Sequence, residues 1–148
     1  MTTQHELPFN TTLKVRDTCL CLHVQRAARA LARRYDEALR PFGLTNFQFS
    51  LLMSLNRPEP PSMGQVAELL AMDRTTLTAN LKPLERRGLA RVAPDPDDRR
   101  SRRLTLTPEG RSLLASAMPA WEEAQARTAG LITEAGPDAL RADLRALS

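Results

Sequence analysis

This 148-residue sequence predicts a mostly α fold carrying one small two-stranded β-ribbon. Three observations carry that expectation. From Leu13 to Leu39 apolar residues recur at spacings of three, four and seven, the period of a helix with one buried face. Thr45, Ser62, Asp73 and Thr107 stand where helices should begin, each able to accept a hydrogen bond from a first-turn amide. Two short apolar stretches flank the polar run Pro94-Asp95-Pro96-Asp97-Asp98-Arg99-Arg100-Ser101, whose turn formers and paired charges read as a hairpin tip.

Taken in order, residues 1–12 lack periodicity and read as a flexible or partner-docked arm. From Leu13 to Arg40 there is no proline or glycine. Leu13, Leu20, Val24, Ala27, Leu31 and Tyr35 fall on one stripe, so one long amphipathic helix is expected, stopped by Pro41 and Gly43. Thr45 with Gln48 fits a capping box and opens a helix bearing Phe49, Leu51, Leu52 and Leu55. Pro58, Pro60 and Pro61 end it. Ser62 with Gln65 is a second capping box, before a short helix with Val66, Ala67, Leu69 and Leu70. Asp73 caps the next, which runs to about Arg87 and stops at Gly88, with Pro83 inside expected to kink it. Leu89 to Ala93 and Arg103 to Thr107 read as strands. Thr107-Pro108-Glu109 then starts a helix reaching roughly Ile132, and Asp138 to Leu147 forms a last one after Gly136-Pro137.

Composition narrows the class. The chain is 42% apolar and 26% charged, a globular rather than disordered balance. It has no apolar run near the roughly 20 residues a bilayer span requires. Met1 to Thr12 shows no basic start followed by an apolar block, so a cytoplasmic protein with no membrane partner is expected. Cys19 and Cys21 cannot form a disulfide framework. At about 100–200 residues per domain, one domain is expected. An enzyme is disfavoured: there is no glycine-rich phosphate loop, and His5 and His23 have no evident nucleophile partner. No cofactor is expected, and no metal. Cys19 and His23 share a helical face, but a third ligand would have to come from elsewhere.

The charge is concentrated. Residues 73–103 carry nine cations against five anions, while residues 104–148 carry four against six. A basic patch on an otherwise balanced chain points to a polyanion. Two short helices separated by about three residues, the second rich in Thr, Asn and Arg, are a helix-turn-helix. A ribbon following at once makes it a winged helix-turn-helix.

The runs Asp73-Arg74-Thr75-Thr76-Leu77-Thr78, Leu84-Glu85-Arg86-Arg87-Gly88-Leu89, Asp95-Pro96-Asp97-Asp98-Arg99-Arg100-Ser101 and Leu104-Thr105-Leu106-Thr107-Pro108-Glu109-Gly110 together resemble the signature of the MarR family of bacterial transcriptional regulators. The resemblance covers about residues 16–147. It implies a single MarR-type domain over 1–148: dimerisation helices at 13–40 and 108–148, and a winged helix-turn-helix DNA-binding module at 45–107. It also implies a homodimer on duplex DNA at a pseudo-palindromic operator, acting as a repressor released by a small ligand.

A recognition helix presents its first residues to base edges in the major groove. Here those are Arg74, Thr75, Thr76, Thr78, Ala79 and Asn80. Arginine can pair bidentately with guanine and asparagine with adenine; threonine can touch a thymine methyl. The resemblance implies an aspartate–x–arginine pair in the wing, matched by Asp98 and Arg100. The arginine would enter the minor groove, held by a bidentate pair with the carboxylate. Arg99, Arg102 and Arg103 add phosphate contacts or are simply solvated. With no aromatic in the basic stretch, base stacking on RNA has no platform.

The signal is less legible. A small anionic or aromatic effector, with Arg16, His23, Arg29 and Tyr35 as lining groups, is one reading; core or surface roles for these residues are the other. The alternative is a thiol-based oxidation sensor acting through Cys21. Its spacing to Tyr35 is similar to that in the organic hydroperoxide repressors of the family, but Leu22 and Gln25 stand where those carry aromatics, the latter a cysteine-binding tyrosine. A DNA-architectural protein without sequence preference is the remaining alternative.

Overall fold

A computed structural model describes residues 6–148. They group into two compact units, the residues up to Arg34 and Tyr35–Ser148. His5 lies outside the described residues.

The first unit is helical. Helix α1 spans Phe9–Thr18 and α2 spans Leu20–Leu39, contributing to both units. Part of the expected arm, Phe9–Thr12, is therefore helical, and the helix expected over 13–40 is interrupted. The break falls at Cys19, whose backbone is extended at φ −69° and ψ 109°. Local hydrogen bonds account for it by competing with the helical ladder. Thr18 Oγ1 donates back to the Lys14 carbonyl at 2.7 Å, the His23 Nδ1 bonds the Cys19 carbonyl at 2.7 Å, and Cys19 Sγ accepts from the Leu22 amide at 3.5 Å. Cys19 thus acts as the N-cap of α2.

The second unit begins with the end of α2. A 3-10 turn at Arg40–Phe42 accommodates Pro41, and Gly43 follows in the left-handed region. Helix α3 spans Asn46–Ser54, α4 Met63–Leu69 and α5 Arg74–Arg86. Both expected capping boxes form, Thr45 with Gln48 and Ser62 with Gln65. Between α4 and α5 the chain turns through Ala71 at φ +52°. Helix α5 continues through Pro83 as one element and ends at Gly88, whose φ of +71° suits only glycine without strain.

Strands β1, Ala90–Pro94, and β2, Arg102–Leu106, pair antiparallel, with Ala90 opposite Leu106 and Pro94 opposite Arg102. Each lies one residue from its expected place: at the tip Pro94 adds a pair with Arg102 without giving up a ladder donor, and at the base Thr107 serves as the N-cap of α6. Helix α6 spans Pro108–Ala129 and α7 Pro137–Ala146. The expected extension to Ile132 fails at Gly130: the Leu131 and Ile132 amides bond three residues back, tightening and ending the helix.

The core is built from Leu39, Leu44, Phe49, Leu51, Leu52, Val66, Leu77, Leu81, Leu84, Leu104, Leu106 and Leu114. Phe49 stacks on Trp121 at a centroid separation of 6.1 Å. Thr107 fastens α6 to the start of the wing. Its amide donates to the Leu89 carbonyl, its Oγ1 donates to the Gly88 carbonyl at 2.6 Å, and that oxygen accepts from the Gly110 amide at 3.0 Å.

Candidate nucleic-acid interface

Leu77, Leu81 and Leu84 bury one face of α5, and this fixes what the other face presents. At helical spacing Thr75, Ala79, Lys82 and Arg86 project away from that buried stripe. All four are exposed. From Arg74 to Lys82 the helix carries no carboxylate. Arg74, Thr76 and Thr78 are exposed as well.

Several of these side chains are already held. The Asp73 carboxylate accepts from the Thr76 amide and the Thr76 hydroxyl, both at 2.8 Å. Those two bonds, the amide first, hold Asp73 below the usual carboxylate range. Thr78 Oγ1 donates to the Arg74 carbonyl at 2.8 Å. The Arg74 guanidinium lies over the first turn of α4, where a Cβ on Gly64 would stand 3.0 Å from its Nη2. Asn80 differs from the rest. It is half-buried at the edge of the leucine stripe, and its Nδ2 donates to the Thr76 carbonyl at 2.8 Å. Lys82 and Arg86 escaped the sequence reading because it weighted the first turns; the buried leucine spacing alone places both on the outward stripe.

The wing tip is arranged differently from expectation. Asp98 does not hold the Arg100 guanidinium. Its Oδ1 accepts from the Arg100 backbone amide at 3.0 Å, a local turn in which a short carboxylate reaches the amide two residues on. Among the described residues Arg99, Arg100 and Arg102 form no ion pair, and all three are exposed. The ion pair of the wing is Arg103 Nε to Asp95 Oδ2 at 2.8 Å, with the Asp95 side chain only 5% exposed. Arg103, left between phosphate contact and solvent, therefore has a protein partner. The sequence hid this because the pair closes only when the hairpin does.

The sensing candidates each have their own local surroundings. Arg16 is exposed and bonded to Asp17 through Nε at 2.6 Å and Nη2 at 3.1 Å. His23 is exposed and turned onto the Cys19 carbonyl. Arg29 lines a shallow groove of about 430 Å³ with Arg26 and Arg33 on α2. The Tyr35 hydroxyl donates to Gln125 on α6. Cys21 is exposed, and its Sγ accepts from the Gln25 side-chain amide at 3.3 Å. Among the described residues no group of three metal-ligating side chains converges. No helix is long and apolar enough to cross a membrane, again among the described residues.

Comparison with known proteins agrees with this geometry. Residues 42–101 match the model of the MarR family. The transcriptional activatory protein BadR of Rhodopseudomonas palustris is 36% identical over 95 residues, covering 62% of this chain and 54% of BadR. The chain spans about half the length of the curated relatives it matches. A crystal structure of the Mycobacterium tuberculosis transcriptional regulator MosR in complex with DNA is similar at a TM-score of 0.80 and 39% identity, over 88% of this chain and 93% of that one. BpsR of Bordetella bronchiseptica, in a structure concerned with regulation of its DNA binding by 6-hydroxynicotinic acid, is similar at a TM-score of 0.77 and 29% identity, over 86% of this chain and 91% of that one. On the winged helix-turn-helix, the matched family model and a 39% identity spanning nearly the whole of a solved regulator, the chain belongs to the MarR family.

Proposed function

We propose that this chain is a sequence-specific, double-stranded-DNA-binding transcriptional regulator, a repressor released by a small anionic or aromatic ligand, with no enzymatic activity and a cytoplasmic site of action. One observation carries the reading. Within a single compact unit, α5 offers a carboxylate-free face from Arg74 to Lys82, and the wing offers Arg99, Arg100 and Arg102 without intramolecular ion pairs among the described residues. A face of mixed donors suits base edges in the major groove, and an unpaired guanidinium on a thin ribbon suits the minor groove. The likeness to MosR, solved in complex with DNA, supports DNA as the partner, and BpsR supports a small aromatic acid as the class of effector.

The acting unit is a homodimer. Leu20 and Val24 in the first unit, and Leu140, Leu144 and Leu147 in the second, are exposed at 36–72% and would be covered by a second copy. Two-fold pairing implies a pseudo-palindromic operator with half-site centres about 10 bp apart or a multiple of that. The test is retardation of duplexes from the DNA flanking the protein's own gene, with sedimentation of the free protein. A symmetric footprint, affinity falling steeply between 50 and 200 mM salt, and a dimer mass are expected. A monomer, or equal affinity for random duplex, refutes the reading.

A second reading, oxidation sensing at Cys21, is favoured by one contact. Gln25, at the position where the hydroperoxide repressors carry a cysteine-binding tyrosine, still donates to the Cys21 sulfur. An organic hydroperoxide would transfer its distal oxygen to the thiol, giving a sulfenic acid and an alcohol. Cys21→Ser should bind DNA normally in reducing buffer and lose any peroxide response. A wild-type protein indifferent to peroxide leaves the ligand reading alone.

A further inference from the structure

The wing arginines do not share one task. Arg103 lays its half-exposed guanidinium against the protein's own surface, with Nε on Asp95 Oδ2 at 2.8 Å and Nη1 on the Pro60 carbonyl at 3.2 Å. Its backbone is bridged to Ser62, and the next amide, Leu104, donates to the Pro61 carbonyl at 2.9 Å. Ser62 in turn caps α4, the helix over whose first turn the Arg74 guanidinium lies. At the other end of the pair, the Asp95 carboxylate accepts from the Asp97 amide at 2.9 Å, and the Asp95 amide donates to the Ser101 carbonyl at 3.1 Å. One side chain therefore joins the hairpin tip to the segment leading into the helix-turn-helix.

We propose that Arg103 is a positioning residue of the DNA interface: by clasping Asp95 and the Pro60 carbonyl it fixes where Arg99 and Arg100 stand relative to α5, without touching DNA itself. This rests on the DNA-binding reading above. The charge bookkeeping separates it from a phosphate contact. A guanidinium neutralised by a buried carboxylate displaces no counterion when a duplex binds, whereas Arg99 and Arg100, free of such a partner among the described residues, do. The planar fork is also needed to reach two acceptors at once, which an ammonium does not reproduce. The wing and the recognition helix then meet the duplex as one rigid piece, and the spacing between minor-groove and major-groove contacts is set inside the protein.

The experiment is a double-variant cycle on an operator the wild type binds, with affinity measured across a salt series. Arg103→Met should reduce affinity about as much as Arg100→Ala or more, and flatten the salt slope by up to two contacts' worth, ~0.9 per contact. The double variant should bind within about twofold of Arg103→Met alone, since Arg100 no longer has its place to lose. Arg103→Lys should resemble the methionine variant. Asp95→Asn guards against misfolding of Arg103→Met, and it should lower affinity. Were Arg103 a phosphate contact, removing the neighbouring carboxylate would raise affinity instead, lysine would restore binding, and the two losses would multiply. Those results overturn the clasp while leaving DNA binding intact. A wild type that retards no duplex overturns the DNA reading, and the clasp with it.

Discussion

Replacing Gly110 by alanine tests the junction that holds the wing against α6. In an exposed helix interior this change adds stability, about 1 kcal/mol from propensity. Here the opposite is expected. A Cβ on Gly110 would stand 2.2 Å from the Leu89 carbonyl oxygen and 2.7 Å from Leu106 Cδ1. Reaching ordinary van der Waals contact requires roughly 1 Å of separation between α6 and the chain entering β1. That gap is spanned by the Thr107 bonds to Leu89 and Gly88, so both would stretch. Overpacking costs about 1–3 kcal/mol and a weakened threonine cap about 1 kcal/mol. Against the propensity gain, a net loss of about 1–3 kcal/mol is expected, or roughly 3–10 °C in Tm for a chain of this size. Thermal and urea melts at fixed protein concentration measure it. Gly130→Ala is the control, because a Cβ there would meet nothing closer than the Arg127 carbonyl oxygen of α6 itself at 3.5 Å, an ordinary contact. A Gly110→Ala protein as stable as the wild type would show that the helix does not approach the strand as closely as described.

The Asp73 carboxylate sits below the usual range because it accepts from Thr76, so its stabilisation is full above the unfolded value near ~3.9 and is lost as pH falls through the folded one. Asp36, lowered by the Asn46 backbone and side-chain amides, has the same sign. The Tm advantage of wild type over Asp73→Asn should therefore be flat from neutral pH to about pH 5 and shrink only below about pH 4; an advantage that grows on acidification contradicts the capping geometry. On DNA, Lys82→Ala should lower affinity on every duplex and flatten the salt slope by ~0.9. Asn80→Ala, whose amide is spent on Thr76, should change affinity less than twofold across single-base operator variants; a base-selective loss of 1–3 kcal/mol would show that Asn80 swings out to read adenine.

Much of the architecture could be read from residues alone, and the successes share a cause. Thr45, Ser62, Asp73 and Thr107 act on amides three residues away, so the signal and the structure it makes lie in one short window. The misses are of two kinds. Cys19 breaks a helix with no proline or glycine to mark it; its thiol does the work a serine would advertise. Ala71 adopts a left-handed turn where glycine is the usual sign, and the helix-turn-helix geometry around it overrides the local preference. The other kind is non-local. Asp95 and Arg103 are eight residues apart and meet only through the hairpin, and the close approach of Gly110 to the Leu89 carbonyl exists only once the wing is folded. For the interface, the sequence points to the first turns of α5 and misses Lys82 and Arg86 farther along its outward face, and the capture of Asn80 by Thr76 and of the Asp98 carboxylate by the Arg100 amide depends on rotamers that no spacing encodes.

The hairpin of β1 and β2 is a two-stranded sheet, and two strands present two open edges, each a template on which another chain can pair. Here the outer edge of β2 is occupied by its own sequence, through the Leu104 amide on Pro61 and the bridge from Ser62 to Arg103. Pro94 removes one donor at the outer end of β1, and Arg91 and Arg102 put charge beside the ribbon. The proline-rich turn before α4 is thus also a guard. It lets an exposed ribbon extend into solvent while withholding the bare backbone that would recruit a neighbouring molecule into a growing sheet. Substitutions that loosen Pro61 from Leu104 should therefore surface first as loss of soluble protein on concentration.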